Sequence, residues 1–184
     1  MAVFWSLLKT LRPRQWLKNF AVFAALVFSG LLFHEGAFVK VVWTFFVFVF
    51  LSSATYLFID LLDVEADRNH PYKKMRPIAS GKLPVGIAVF SLLIAVFLGL
   101  TIAFWLNYYV FLLGFFYLVI QIFYTTYFKK IPIIDLIVIA TGYLIRVYVG
   151  ALAVGAHMSV WFLMTVIAAS LFLAVGKRRG EMTL

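Results

Sequence analysis

The chain is 184 residues long, 65% hydrophobic and 12% charged, with 16 Lys and Arg against 7 Asp and Glu and a net charge of +9. Soluble domains are roughly half apolar and about a quarter charged, so this chain has too few polar side chains to cover a globule and is too apolar to stay solvated as a disordered chain. It contains no cysteine, which excludes disulfides and thiolate metal sites; a membrane protein remains.

A helix crossing about 30 Å of hydrocarbon needs roughly 17–25 mostly apolar residues, and six stretches qualify. The first, 15–33, follows Lys9, Arg12 and Arg14 and carries Lys18 and Asn19 near its start. No small-residue cleavage site accompanies it, so a transmembrane helix is expected rather than a signal peptide. A turn at His34, Glu35 and Gly36, with Lys40 just beyond, leads to the second stretch, 37–59. A long loop then carries Arg68, Lys73, Lys74, Arg76 and Lys82. The third and fourth stretches, 83–106 and 108–128, meet at the uncharged Asn107. Lys129 and Lys130 precede the fifth, 131–155, and the turn at Ala156 and His157 precedes the sixth, 159–176. Lys177, Arg178 and Arg179 follow it.

The loops thus alternate. Of the 16 basic residues 14 fall on one side, Lys40 falls on the other, and Arg146 lies within a span. The positive-inside rule makes the basic side cytoplasmic, with both termini inside. The expected fold is an all-α polytopic helical bundle of about six transmembrane helices, a single domain over residues 1–184, in the cell (inner) membrane. Most of the positive charge is then topological, and no nucleic-acid partner is expected. Trp16, Trp43, Trp105, Tyr108, Tyr109 and Trp161 fall near helix ends, as an interfacial aromatic belt requires. The abundant Phe reads as lipid-facing or packing surface.

Four of the seven acids, Asp60, Asp63, Glu65 and Asp67, fall within eight residues where the second span reaches the basic side. Asp60, Asp63 and Asp67 are spaced i, i+3, i+7, on one helical face. Like charges so placed repel, more so at a membrane boundary. A divalent cation relieves this directly. An all-oxygen ligand set points to Mg²⁺, which keeps several waters and is commonly shared with substrate phosphates. The spacing alone fits equally well a solvated acidic helix end neutralised by nearby Lys and Arg. Lys73, Lys74, Arg76 and Lys82 follow the carboxylates closely, and carboxylates, Mg²⁺ and basic side chains together form a diphosphate site. The positive-inside bias explains the number of these cations but not their closeness to the acids.

Asp135 lies just inside the fifth span, with Arg146 eleven residues further on. That is close to three helical turns, so both share a face about 16 Å apart along the axis. A charged residue at such depth normally faces the bundle interior, a partner or a water-filled cavity. Arg146 either pairs with an acid on another helix or binds a negatively charged substrate group; no other acid lies deep in a span to pair with it. Tyr124 and Lys129, at the end of the fourth span, reach the same cytoplasmic region. So do Lys177 and Glu181, at i, i+4 after the sixth, although alone they read as a surface ion pair. Every cluster with chemistry to offer sits at the cytoplasmic mouth of the bundle. A cavity there would accept a soluble diphosphate donor, and its apolar walls would take a lipid tail from the bilayer.

Residues 56–71, with their aspartates, followed by Arg76-Pro77-Ile78-Ala79-Ser80-Gly81, resemble the first aspartate-rich motif of the UbiA-type prenyltransferase superfamily. Within it they look most like the decaprenyl-phosphate phosphoribosyltransferase branch. Leu11-Arg12-Pro13-Arg14-Gln15-Trp16-Leu17-Lys18-Asn19 is similar to the start of that branch, as are residues 124–129 followed by Asp135, Gly142, Arg146 and Gly150. Gly176-Lys177-Arg178-Arg179-Gly180-Glu181 resembles its second cytoplasmic motif, where other branches carry a second aspartate motif. The resemblance implies a Mg²⁺-dependent membrane pentosyltransferase. It would move a 5-phosphoribosyl group from phosphoribosyl diphosphate to a polyprenyl (decaprenyl) phosphate, for cell-wall arabinan precursors, and release diphosphate. Carried over by residue, Asp60, Asp63 and Asp67 are the expected metal and diphosphate positions and, with Lys129 and Asp135, the catalytic set. Lys74, Arg76, Lys129, Arg146 and Lys177 are expected to contact substrate phosphates. Tyr124, Asp135 and Glu181 are expected to line or orient the site, and Lys18 to meet the lipid phosphate.

Two departures from that pattern stand out. The family carries Asn immediately before the first Asp of the motif; here the residue is Ile59, which neither ligates a metal nor donates a hydrogen bond. The family also has about nine spans, so this sequence resembles its N-terminal portion, as a truncated product would. A six-span chain would leave an apolar seam exposed, open to instability or to homo-oligomerisation. Two rival readings use the same residues. A prenyltransferase proper would attach the chain of a polyprenyl diphosphate to an aromatic or other acceptor, and the Lys-Arg-x-x-Glu end in place of a second aspartate cluster weighs against it. The chain would otherwise be an inactive fragment or a non-enzymatic transporter, which usually shows an internal repeat; none is evident.

Overall fold

The computed structural model describes residues 2–128 and 131–182, and every regular element among them is helical. In chain order these are α1 (Ala2–Leu11), a 3-10 helix (Pro13–Phe23) that runs into α2 (Ala24–Phe28), a 3-10 turn (Leu31–Phe33), α3 (Ala37–Leu62), α4 (Val64–Arg68) and a second 3-10 turn (Lys73–Met75). Then come α5 (Val85–Leu106), α6 (Tyr108–Phe123) with a π-helical turn (Tyr124–Phe128), α7 (Pro132–Val154) and α8 (Val160–Met182).

Four stretches among the described residues are long and apolar enough to cross a membrane: Ala37–Leu62, Val85–Leu106, Tyr108–Phe128 and Ile133–Val154. Val160–Gly176 is a shorter apolar helix. These coincide with five of the six expected stretches. The first is different. In place of one α-helix over 15–33, the chain winds as 11 residues of 3-10 helix and five of α-helix, then breaks at Gly30 in the left-handed region. At roughly 2.0 Å per residue in the first part and 1.5 Å in the second, the two reach about 30 Å. A single extended 3-10 run of that length is uncommon. Packing holds it: a Cβ added at Gly150 of α7 would lie 1.9 Å from the Val22 carbonyl oxygen, so the two backbones touch.

Helix α3 is central, packed against α1, the 3-10 helix, α5, α6 and α7, while α8 lies against α7. The main core gathers Val22, Leu26, Val41, Phe48, Leu51, Val110 and Val149. The α5–α6 hairpin is fixed by Asn107, whose side-chain oxygen accepts the Tyr109 N–H at 2.8 Å and so caps α6. A second cluster of Leu57, Ile78, Leu83 and Ala88 pins the loop between α4 and α5 back onto α3. That anchorage holds Arg76 over the end of α3. Phe97, Trp105, Trp161 and Phe172 are exposed, as lipid-facing side chains are. Trp16 departs from the expected belt: its indole N–H donates to Ser53 Oγ at 3.1 Å, so it joins the 3-10 helix to α3.

Candidate functional site

The acidic face does not run along one straight helix. α3 ends at Leu62, Asp63 forms the elbow, and α4 carries Asp67. The backbone ladder continues through the bend, with Asp63 N–H on the Ile59 carbonyl at 3.0 Å and Asp67 N–H on the Asp63 carbonyl at 2.8 Å. Asp60 and Asp67, each 3% exposed, therefore turn inward together, while Asp63 stays half-buried at the elbow.

Two guanidinium groups meet the two buried carboxylates. Arg76 Nη1 donates to Asp67 Oδ2 at 2.7 Å and to Asp60 Oδ1 at 3.2 Å. Arg12 Nη2 donates to the same Asp60 oxygen at 2.6 Å, and its guanidinium lies 4.8 Å from the centre of the Tyr56 ring. The cluster is thus charge-balanced, which is the condition for burying ions at all. Arg12 is also the one described non-glycine residue with positive φ, at 54°. That backbone state costs about 1–2 kcal/mol for a residue with a Cβ. It is held by the contact with Asp60 and by the turn into Pro13.

Beside this cluster lies a cavity of about 250 Å³ bordered by the 3-10 helix, α3, α6 and α7. Arg12, Lys18, Tyr124, Asp135 and Arg146 all line it, with Tyr56, Tyr117, Gln121 and Ile59. Three basic side chains thus face one acid. Tyr124 donates its hydroxyl proton to Asp135, across the π-helical turn that ends α6. Arg146, 8% exposed, is held by neutral groups: Nε donates to Asn19 Oδ1 at 2.8 Å, Nη1 to the Gly142 carbonyl at 2.7 Å and Nη2 to Tyr117 Oη at 3.1 Å. The Phe48 and Tyr117 rings lie 5.5 and 5.1 Å from its guanidinium. Of the two readings of Arg146, pairing with an acid on another helix is not what these bonds provide. Its charge meets polar and aromatic partners on the wall of an accessible cavity.

The fold thus assembles Lys18, Tyr124, Asp135 and Arg146 in one cavity, next to Asp60, Asp67 and Arg76. Lys74 is exposed on the 3-10 turn before Arg76. Lys129 lies outside the described residues, as do the side chains of Lys177 and Glu181, whose backbone belongs to α8. Ile59 places an apolar wall beside Asp60. Sequence reasoning did not single out Arg12, Asn19, Tyr117 or Gln121. Arg12 and Asn19 stand within the stretch over 11–19 that carries the family resemblance, and a buried Asn inside an apolar stretch is itself a signal of a polar partner. Nothing local marks Tyr117 or Gln121.

No three His, Cys, Asp or Glu side chains among the described residues form a ready-made metal cage. Mg²⁺ needs none, because it is usually held by one or two carboxylates, with phosphate and water oxygens completing its shell. Asp60 and Asp67 already converge on a single positively charged nitrogen. Oxygen donors so placed fit a hard cation that arrives with a diphosphate.

Residues 14–177 match the UbiA prenyltransferase family. The decaprenyl-phosphate phosphoribosyltransferase of Corynebacterium glutamicum is 39% identical over 97% of this chain and 55% of its own length. The enzyme of the same name from Mycobacterium tuberculosis is 38% identical over 97% of this chain and 61% of its own. The chain therefore spans between half and two thirds of the curated relatives it matches. Among solved structures, a digeranylgeranylglyceryl phosphate synthase superposes with a TM-score of 0.80 at 21% identity, covering 97% of this chain and 62% of that one. A UbiA homologue from Archaeoglobus fulgidus, bound to DMAPP and Mg²⁺, gives 0.75 at 24% identity over 92% and 60%. Motif, sequence and fold agree, and this multi-pass membrane chain belongs to the UbiA prenyltransferase family.

Proposed function

We propose that the chain serves a membrane pentosyltransferase that moves a 5-phosphoribosyl group from phosphoribosyl diphosphate to a polyprenyl phosphate, with its site facing the cytoplasm. The observation that carries this is Arg12, which bonds Asp60 in the carboxylate cluster and also lines the cavity with Lys18 and Arg146. One guanidinium thereby joins a diphosphate-type cluster to a basic cavity, so that two phosphate-bearing substrates would sit side by side. The likeness to decaprenyl-phosphate phosphoribosyltransferases supports this donor over a prenyl diphosphate.

In the reaction, the bond from ribose C1 to the diphosphate oxygen breaks and a bond from C1 to a lipid-phosphate oxygen forms. Diphosphate leaves with the electron pair. Asp60 and Asp67, with Asp63 at the elbow between them, would hold a Mg²⁺ that arrives with the diphosphate, and the ion would neutralise charge on the leaving group. Arg76 and Arg12, which bond the carboxylates here, would fork onto diphosphate oxygens in the complex. Lys18 and Arg146 hold the acceptor phosphate, which is already anionic and needs no base. Tyr124 and Asp135, bonded to each other, fix the wall against which the ribose lies. Catalysis is then positioning and electrostatics around an oxocarbenium-like transition state.

In membranes supplied with both substrates and Mg²⁺, Asp63→Ala and Asp67→Ala should each lower transfer by about 10²-fold or more without changing membrane insertion. Near-normal transfer in both variants would overturn the assignment of the aspartates.

A further inference from the structure

The carboxylate oxygens that a cation would use are the ones that two guanidinium groups hold. Arg76 Nη1 bridges Asp60 Oδ1 at 3.2 Å and Asp67 Oδ2 at 2.7 Å, and Arg12 Nη2 takes the same Asp60 oxygen at 2.6 Å. The four bonded groups are neutral as a set. A dication entering alone would leave that set with uncompensated positive charge beside buried carboxylates, which is costly. A diphosphate entering alone would draw the guanidiniums away and leave Asp60 and Asp67 facing an anion. When both enter together, every group keeps a partner of opposite sign: carboxylates on the cation, guanidiniums on phosphate oxygens.

The fold fixes the backbone of Arg76 and leaves its side chain free to turn. The Arg76 N–H donates to the Lys73 carbonyl at 2.9 Å, and the Arg76 carbonyl accepts the Ser80 N–H at 2.9 Å. Ile78 and Leu83 are buried against Leu57 of α3 and anchor the loop just beyond. Yet the Arg76 and Arg12 side chains are each 28% exposed, whereas the carboxylates they hold are buried. Arg12 also borders the cavity, so its guanidinium can leave Asp60 and still meet an anion there. Ile59, on the same wall, has no side-chain donor with which to hold Asp60 in their place.

We propose that Arg76 and Arg12 are exchangeable counter-ions of Asp60 and Asp67, which pass from the carboxylates to phosphate oxygens and so make a divalent cation and a diphosphate bind as a pair, neither well alone. The proposal rests on the diphosphate donor given above, whichever organic group that donor carries. The arginines then act on the metal with a sign of their own. As competitors for the carboxylate oxygens they weaken the binding of a cation by itself, and as phosphate ligands they strengthen the binding of the cation with its diphosphate. A residue that met phosphate alone would do only the second, and a residue that served packing would do neither.

The test uses the full chain in lipid bilayers and Mn²⁺ as a spin-visible substitute for Mg²⁺. Bound Mn²⁺ is counted by electron paramagnetic resonance at matched free Mn²⁺, with and without inorganic diphosphate. In the parent chain, diphosphate should tighten Mn²⁺ binding by about tenfold or more. In Arg76→Gln, Mn²⁺ alone should bind about tenfold more tightly than to the parent, and the gain from diphosphate should shrink. Arg12→Gln should move both readings the same way by less, because Arg76 still holds both carboxylates. Parent binding that diphosphate leaves unchanged would overturn the proposal. So would glutamine variants that elute as the parent does on size exclusion and bind Mn²⁺ alone no more tightly. If Arg76→Gln fails to fold, Arg12→Gln decides the same question, since it leaves each carboxylate a guanidinium. The measurement involves no ribose and no transfer. The predicted binding without phosphoribosyl transfer would remove the donor assignment alone, and transfer without that binding would remove the exchange alone.

Discussion

Gly150→Ala should abolish correct folding of the bundle. The Cβ it introduces would lie 1.9 Å from the Val22 carbonyl oxygen, 2.9 Å from its carbonyl carbon and 3.2 Å from its Cα. All three are backbone atoms, so no rotamer change relieves the clash. α7 and the 3-10 helix would have to part along a core that contains Val22, Leu26 and Val149 at 0% exposure. The bond between Arg146 and Asn19 crosses the same interface. Overpacking a flexible core site costs about 1–3 kcal/mol; a backbone contact this close has no flexible partner, so the cost lies at or above the top of that range. Gly176→Ala is the matched control, because nothing lies within 4 Å of a Cβ there. Size-exclusion profiles and thermal unfolding in detergent should show the Gly150 variant aggregated or melting far below the parent, and the Gly176 variant unchanged. Equal melting of all three would contradict the described packing.

Arg146→Met should leave the bundle folded and remove most of the transfer activity. Met is apolar, adaptable and fills irregular gaps, and removing the guanidinium strands no opposite charge, because its bonded partners are the neutral Asn19, Gly142 and Tyr117. The expected stability loss is therefore modest, set by the bonds that Asn19 and Tyr117 give up. The activity loss is larger, because a guanidinium aimed at an anionic group contributes about 3 kcal/mol when desolvated, or roughly 10²-fold in kcat/KM. Arg146→Lys should fall between the parent and the Met variant. It restores the charge but not the planar fork that reaches Asn19, Gly142 and Tyr117 at once. A Met variant with parental kcat/KM would show that Arg146 serves packing alone.

The parts legible in the sequence are those that depend on length and local charge. α3, α5, α6 and α7 are long uninterrupted apolar runs, and such runs need only be counted. The aspartates stand out because like charges crowded near a membrane boundary demand a cation. Asp135 and Arg146 stand out because ions inside a span are rare, and the helical repeat puts both on the wall of one cavity. The first stretch differs from the expected α-helix for a physical reason: apolar content does not distinguish 3-10 from α winding, and its close backbone contact with Gly150 comes from far along the chain. Arg12 was missed for a similar reason. Its left-handed backbone sends the guanidinium to Asp60, 48 residues away, and no local periodicity reports that. The elbow at Asp63 is followed by a loop that Ile78 and Leu83 anchor against Leu57 of α3. That loop holds Arg76 where it can meet both Asp60 and Asp67, a meeting that helical spacing alone does not contain.

The identity of the donor separates the two transferase readings. The most direct measurement incubates membranes containing this protein with Mg²⁺ and polyprenyl phosphate, once with phosphoribosyl diphosphate labelled in the ribose and once with a labelled prenyl diphosphate and an aromatic acceptor. Label from the ribose should enter the lipid fraction with stoichiometric release of diphosphate, and chelation of the metal should stop it. Transfer from the prenyl diphosphate, with none from phosphoribosyl diphosphate, would make the chain part of a prenyltransferase and overturn the proposed donor.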